Sequence, residues 1–186
     1  ITKEQIGEIF WQNVDEPAKI KLRFKNEIYR LRKAVGQEAI TYKDIYYSFN
    51  RKLDYEYDVE AFESHIARAK AAENTQEEIE FFQKAVDLVR GPYLKDMYAD
   101  WATPDRERLN QMYLSALAAL GNLYQTMAQF EKALEICQSA ISYDPSFESA
   151  YQIMMQVYHR LGDQTSVRKK YQACVEAMQR QFGMPP

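Results

Sequence analysis

The feature that most constrains this chain is a helix-pair pattern between residues 110 and 145. Leu117, Leu120, Gly121, Tyr124, Ala133 and Ala140 run large, large, small, aromatic, small, small, Phe130 opens the second half, and Pro145 closes it. Small residues at fixed places let two antiparallel helices approach closely, while the bulky ones fill the gaps between layers. The pattern returns more loosely 34 residues on, with Tyr151, Met154, Tyr158, Tyr171 and Cys174 in the equivalent places and Gly162-Asp163 as the turn between helices. A repeat of this kind cannot bury its apolar face alone, so it predicts stacked helical pairs.

The spacing is similar to the tetratricopeptide repeat, with Pro145 as its closing proline. Residues 59–90 fit that frame weakly, because Glu78 stands where alanine is usual. They still read as two helices. Asp58 is placed to cap the first, which carries Phe62, Ile66 and Ala69. Asn74 and Thr75 break it, and Ile79, Phe82, Ala85, Val86 and Val89 mark the second. Gly91-Pro92 then stops the chain.

The first fifty residues have a different character. Residues 1–52 hold eleven Lys/Arg against seven Asp/Glu, and residues 53–186 hold thirteen against twenty. That asymmetry predicts two segments with two tasks. Thr2 and Gln5 have the spacing of a capping box, followed by Ile6, Ile9 and Phe10 on one helical face and Trp11 at the end. A polar break at 12–16 precedes Pro17, which suits the first turn of a new helix. Ile20, Phe24, Ile28, Leu31 and Val35 make an apolar face, and Gly36 suits the helix end. Lys19, Arg23, Asn26, Arg30 and Lys33 make a cationic stripe opposite, flanked by Lys21, Lys25 and Arg32. Such a stripe reads either as a solvated helix face or as a surface that neutralises phosphates and bonds base edges. Residues 38–42 and 45–49 then read as two short strands about a Lys43-Asp44 turn.

A short helix, a basic helix and a hairpin make the order of a winged helix-turn-helix. "ITKEQIGEIFW", "NEIYRLRKAVG" and "ITYKDIYYSF" resemble the carboxy-terminal two-thirds of an OmpR-type winged helix, and the chain, starting at Ile1, reads as a fragment. The resemblance implies that residues 17–35 dock in the DNA major groove and that the 38–49 hairpin is the wing. It implies DNA contacts by Lys19, Arg23, Asn26, Arg30 and Lys33, a flanking phosphate contact by Arg32, and Lys43 at the wing tip. Two departures stand out: Ile45-Tyr46 occupies the place where the family usually has Gly-Tyr, and the family's amino-terminal strands and first helix are not among these residues.

"RGPYLKDMYADWATPDRERLNQMYLSALAAL" (90–120) and the closing "FGMPP" resemble the bacterial transcriptional activator domain of SARP-type regulators. Within it, Trp101 is expected to pin the 91–103 loop against the helices with help from Tyr93 and Tyr98. The expected architecture is mainly α: a truncated winged helix-turn-helix at 1–50, a linker at 51–57, and a tetratricopeptide-like domain at 58–186. The expected function is transcription regulation on double-stranded DNA. The repeats contact partners or other copies, and family members often sit side by side on direct repeats, so a dimer on DNA is compatible. The rival is a protein-interaction scaffold without working DNA contacts.

Other classes find little support. His65 and His159 lie in different helices without companions at ligand spacing, so neither metal nor cofactor is expected. Cys137 and Cys174 fall on inward positions and read as buried thiols of a reducing cytoplasm. Glu77/Glu78 and Asp105/Glu107 mark helix starts. Nothing resembles a catalytic constellation or a membrane span.

Overall fold

The computed structural model describes residues 1–11 and 16–183. The expected break at 12–16 and the closing "FGMPP" therefore lie largely outside the described residues. The chain divides into two compact units, Ile1–Glu56 and Tyr57–Pro186. Among the described residues it is mainly helical, with one antiparallel hairpin.

In the first unit, α1 spans Lys3–Phe10. Thr2 Oγ1 accepts from the Gln5 amide at 3.2 Å and Gln5 Oε1 accepts from the Thr2 amide at 2.9 Å, the reciprocal capping that the spacing predicts. Gly7 is buried, and a Cβ there would lie 3.0 Å from Ile20 Cγ2, so glycine lets α1 approach the next helix closely. That helix, α2, spans Pro17–Val35 and ends at Gly36, whose φ of 101° turns the chain away. Phe24 is its one buried side chain and meets Tyr47 edge-on at 4.8 Å.

The hairpin pairs β1 (Ile40–Lys43) with β2 (Tyr46–Phe49). Its register is Ile40↔Phe49, Thr41↔Ser48, Tyr42↔Tyr47 and Lys43↔Tyr46, so the turn is Asp44-Ile45, one residue later than expected. Glu38 and Ala39 are not strand as anticipated. Gln37–Ala39 forms a 3-10 turn after Gly36, burying Ala39, and the Asn50 amide closes onto the Ala39 carbonyl at 2.8 Å. On the outer edge of β2, Tyr47 exchanges two backbone hydrogen bonds with Ile1. The first unit also includes the segment anticipated as linker up to Glu56, where Tyr55 meets Phe49 edge-on at 4.8 Å.

The second unit stacks α3 (Asp58–Lys70), α4 (Thr75–Leu88), α5 (Thr103–Thr126), α6 (Phe130–Tyr143), α7 (Glu148–Arg160) and α8 (Gln164–Phe182). Asp58 begins α3 instead of capping it: Tyr57 holds the cap position, and the Asp58 carboxylate accepts from the next amide, Val59. Asn74 caps α4 by accepting from the Glu77 amide at 3.0 Å, which explains the break there. Leu117, Leu120, Gly121, Tyr124, Ala133, Cys137 and Ala140 are all buried, as the repeat spacing predicts. Burying a leucine fully contributes roughly 1.5–3 kcal/mol, so Leu117 and Leu120 are major anchors of the stack.

The second repeat departs in one place. Tyr151, Met154 and Cys174 are buried, whereas Tyr171 is 56% exposed. Its counterpart Cys137 faces α7's neighbourhood in the core, but among the described residues no later helix covers α8.

In the 91–102 loop Tyr93 packs against the helical core, whereas Tyr98 is 93% exposed and does not help to pin the loop as expected. The backbone is also fastened by Arg106, whose guanidinium donates to the carbonyls of Tyr93 (2.8 Å), Leu94 (2.9 Å) and Met97 (2.6 Å). A guanidinium offers five donors in a fixed fork and can gather three carbonyls at once. No aromatic ring can do that.

Candidate nucleic-acid interface

The cationic stripe rests on α2. At roughly 100° per residue, Lys19, Arg23, Asn26, Arg30 and Lys33 fall on the side opposite Phe24. All five are exposed, as are Lys21 and Lys25. Burial of Phe24 against Tyr47 is what turns this face outward. Two members carry an acidic neighbour: Lys19 Nζ is 2.8 Å from Glu16 and Arg30 is 3.3 Å from Glu27. Exposed pairs of this kind contribute only about 0–1 kcal/mol, so they are easily exchanged for another anion. Arg23 lies over the Trp11 ring at 5.4 Å, which orients its guanidinium without neutralising it.

Arg32 is placed apart from the others. It is half-buried, and its Nη2 donates to the Ile40 carbonyl at 2.9 Å. Its Nε is buried without a hydrogen-bond partner. Arg32 thus joins the end of α2 to the start of β1. Lys43 ends β1 beside the turn and is exposed.

Two side chains escaped the sequence reading. Leu22 is 62% exposed and Tyr29 is 65% exposed, both beside the cationic stripe on the outward face. The signal was present: both fall outside the apolar series 20, 24, 28, 31, 35. An apolar residue off the buried face of a basic helix has no core to serve.

In the second unit a cleft of about 740 Å³ lies between α3, the end of α4 and α5, lined by Tyr57, Phe62, Tyr93, Tyr113 and Tyr143. Among the described residues no group of three His, Cys, Asp or Glu side chains could hold a metal ion. His65 instead stacks on Phe81 in the α3–α4 core region. Among the described residues no helix is long and apolar enough to cross a membrane.

No curated protein matches this chain closely enough to count as a relative. The family model of the bacterial transcriptional activator domain matches residues 57–186, starting where the second unit starts and covering well over half of the sequence. That family is one of transcription regulators and not of enzymes. With the stacked helical pairs in place across the matched residues, the chain belongs to the bacterial transcriptional activator domain family.

Proposed function

We propose that the chain regulates transcription in the cytoplasm by binding double-stranded DNA through its first unit, as a winged helix-turn-helix does. The observation that carries this reading is the common exposure of Lys19, Arg23, Asn26, Arg30 and Lys33 on one face of α2, beside a hairpin. Docked in a major groove, these cations replace condensed counterions on the phosphates, and Asn26 and the arginines reach base edges. Leu22 and Tyr29 supply apolar contacts of the kind a thymine methyl accepts. Lys43 meets the backbone from the wing.

Arg32 acts at one remove in this scheme. Its bond to Ile40 sets the angle between helix and wing, so its contribution is geometric. The second unit mediates contacts with other proteins or with a second protomer on neighbouring sites. Support comes from its exposed Tyr98 and Met97, which project from a loop whose backbone Arg106 holds rigid.

The test is a titration of the full chain against duplex DNA over a range of salt. Binding should weaken linearly on logarithmic axes, and Arg30→Ala or Lys33→Ala should each lower affinity and reduce the slope by about 1. Absence of duplex binding at low salt rejects this reading and leaves the interaction scaffold as the function.

A further inference from the structure

The second unit carries a projection beside a depression. The projection is Tyr98, 93% exposed, with Met97 next to it. Neither side chain serves the core, yet the backbone beneath them is held. Arg106 gathers the carbonyls of Tyr93, Leu94 and Met97, and the Met97 amide closes a turn onto the Leu94 carbonyl at 2.9 Å. A side chain on a backbone that is already ordered loses less freedom when it docks. The depression is the cleft of about 740 Å³ between α3, the end of α4 and α5. Tyr57, Tyr93, Tyr113 and Tyr143 line it, and so does Lys95 of the loop that bears Tyr98.

The charges divide in the same way. Arg90 and Lys95 line the cleft, whereas Asp96 and Asp100 flank Met97 and Tyr98. All four are exposed, and among the described residues none has a side-chain hydrogen bond or ion pair. The two carboxylates that also line the cleft are engaged within the chain. Asp87 accepts from Gln83 at 2.8 Å, and Asp58 accepts from the Val59 amide at 2.9 Å.

We propose that two copies of this chain pair about a two-fold axis, Tyr98 and Met97 of each entering the tyrosine-lined cleft of the other. This deepens the reading above that the second unit contacts other proteins, and it does not depend on DNA. A two-fold contact uses the same patch on both copies, so the patch must complement itself. A projection three residues from the rim of its own receptor meets that requirement. Asp96 and Asp100 of one copy then face Arg90 and Lys95 of the other. Inside the cleft the Tyr57 and Tyr93 hydroxyls lie 3.4 Å apart, and each can still bond a third phenol. An aromatic anchor in a pocket, ringed by charged pairs, is the arrangement in which a few residues carry most of the affinity.

Sedimentation velocity of the full chain without DNA measures the pairing. The parent should pass from monomer to dimer as its concentration rises through the micromolar range. Tyr98→Ala should raise the dissociation constant roughly tenfold or more with thermal melting unchanged, because the side chain is exposed. Charge reversal adds a test between copies. Arg90→Glu with Lys95→Glu in one chain, and Asp96→Lys with Asp100→Lys in another, should each abolish pairing alone. An equimolar mixture should restore it, since reversed charges then meet on one side of the axis and native charges on the other. Damage to the fold would not be rescued by mixing. The inference is overturned by a parent that stays monomeric at high micromolar concentration, or by Tyr98→Ala pairing as tightly as the parent. Charge variants that still pair alone, or that mixing fails to rescue, overturn it equally. Each of these results leaves contacts of the second unit with other proteins standing, and the duplex titration is read separately.

Discussion

Gly121 lies against Cys137 so closely that a Cβ on the glycine would sit 3.0 Å from the cysteine Sγ and 3.4 Å from Ile153 Cδ1. At this point α5 and α6 cross with α7 on the third side, and a backbone without a side chain is what lets them meet. Gly121→Ala should therefore lower stability by about 1–3 kcal/mol, the range for overpacking a filled core. Cys137→Ala in the same chain should restore part of that loss, giving a coupling of roughly 0.5 kcal/mol or more. Urea unfolding of the four chains measures both. Equal midpoints for Gly121→Ala and the parent would show that the crossing has slack.

Arg106 makes a second prediction. Three carbonyls of the 91–97 segment share its guanidinium, and hydrogen bonds to a charged group are worth about 1.5–3 kcal/mol. Arg106→Ala should cost about 2 kcal/mol and speed amide exchange selectively across residues 91–100. Arg106→Lys should recover little, because an ammonium is a point donor and cannot span the three acceptors. Unaltered exchange in that loop would show that its anchoring does not depend on the Arg106 fork.

The repeat core was legible in the sequence because close helix packing demands small residues at fixed spacing, and Gly121, Ala133 and Ala140 are where they must be. The helix α2 was legible through Pro17, Gly36 and the 3.6-residue apolar period. What the sequence hid were features set by tertiary partners. Tyr171 occupies a position of the frame that an adjoining helix covers in the preceding repeat, and spacing alone does not say whether a cover follows. Arg32 looked like one more cation because its carbonyl partner, Ile40, is eight residues away in a separate element. Arg106 drew no attention because the carbonyls it gathers lie nine to thirteen residues away, in an irregular loop. Propensity shifted the hairpin turn toward Lys43-Asp44, but pairing of Lys43 with Tyr46 places it at Asp44-Ile45.

Arg32 and Lys33 are neighbours with different surroundings, one bonded to Ile40 and the other exposed, and comparing them tests the proposed division of roles. Arg32→Ala removes the bond between α2 and β1. It should lower the melting temperature of the first unit and weaken DNA binding together. Lys33→Ala should leave melting unchanged, since the side chain is exposed, while the salt slope falls by about 1. Arg32→Lys is the informative control. A single ammonium still reaching Ile40 should preserve the melting temperature and most of the binding, whatever the change in phosphate-matching geometry. Should Arg32→Ala instead behave like Lys33→Ala, with full stability and a reduced slope, Arg32 would be a phosphate contact after all.

Alkaline pH offers a test confined to the second unit. Burial pushes the Cys137 thiol up to about 12 from its ordinary 9.0. The phenols of Tyr113, Tyr124, Tyr143 and Tyr151 are raised above 10.0, in each case mainly by removal from water. Each of these groups holds its proton more tightly in the folded chain than in the unfolded one. Above the unfolded values the unfolded state binds fewer protons, so stability falls with rising pH. The contribution is fully present below about pH 9 and is lost progressively as pH climbs through the thiol and phenol range toward about 12. Denaturant midpoints for the helical unit should accordingly be flat from neutrality to about pH 9 and decline beyond it. The thiol provides an independent reading of the same physics. At mildly alkaline pH, Cys137 should resist alkylation in the folded chain and react once urea unfolds it, because the reactive thiolate is suppressed by burial. Rapid alkylation of Cys137 under native conditions, or a midpoint that rises above pH 9, would mean that the space between α5, α6 and α7 admits water.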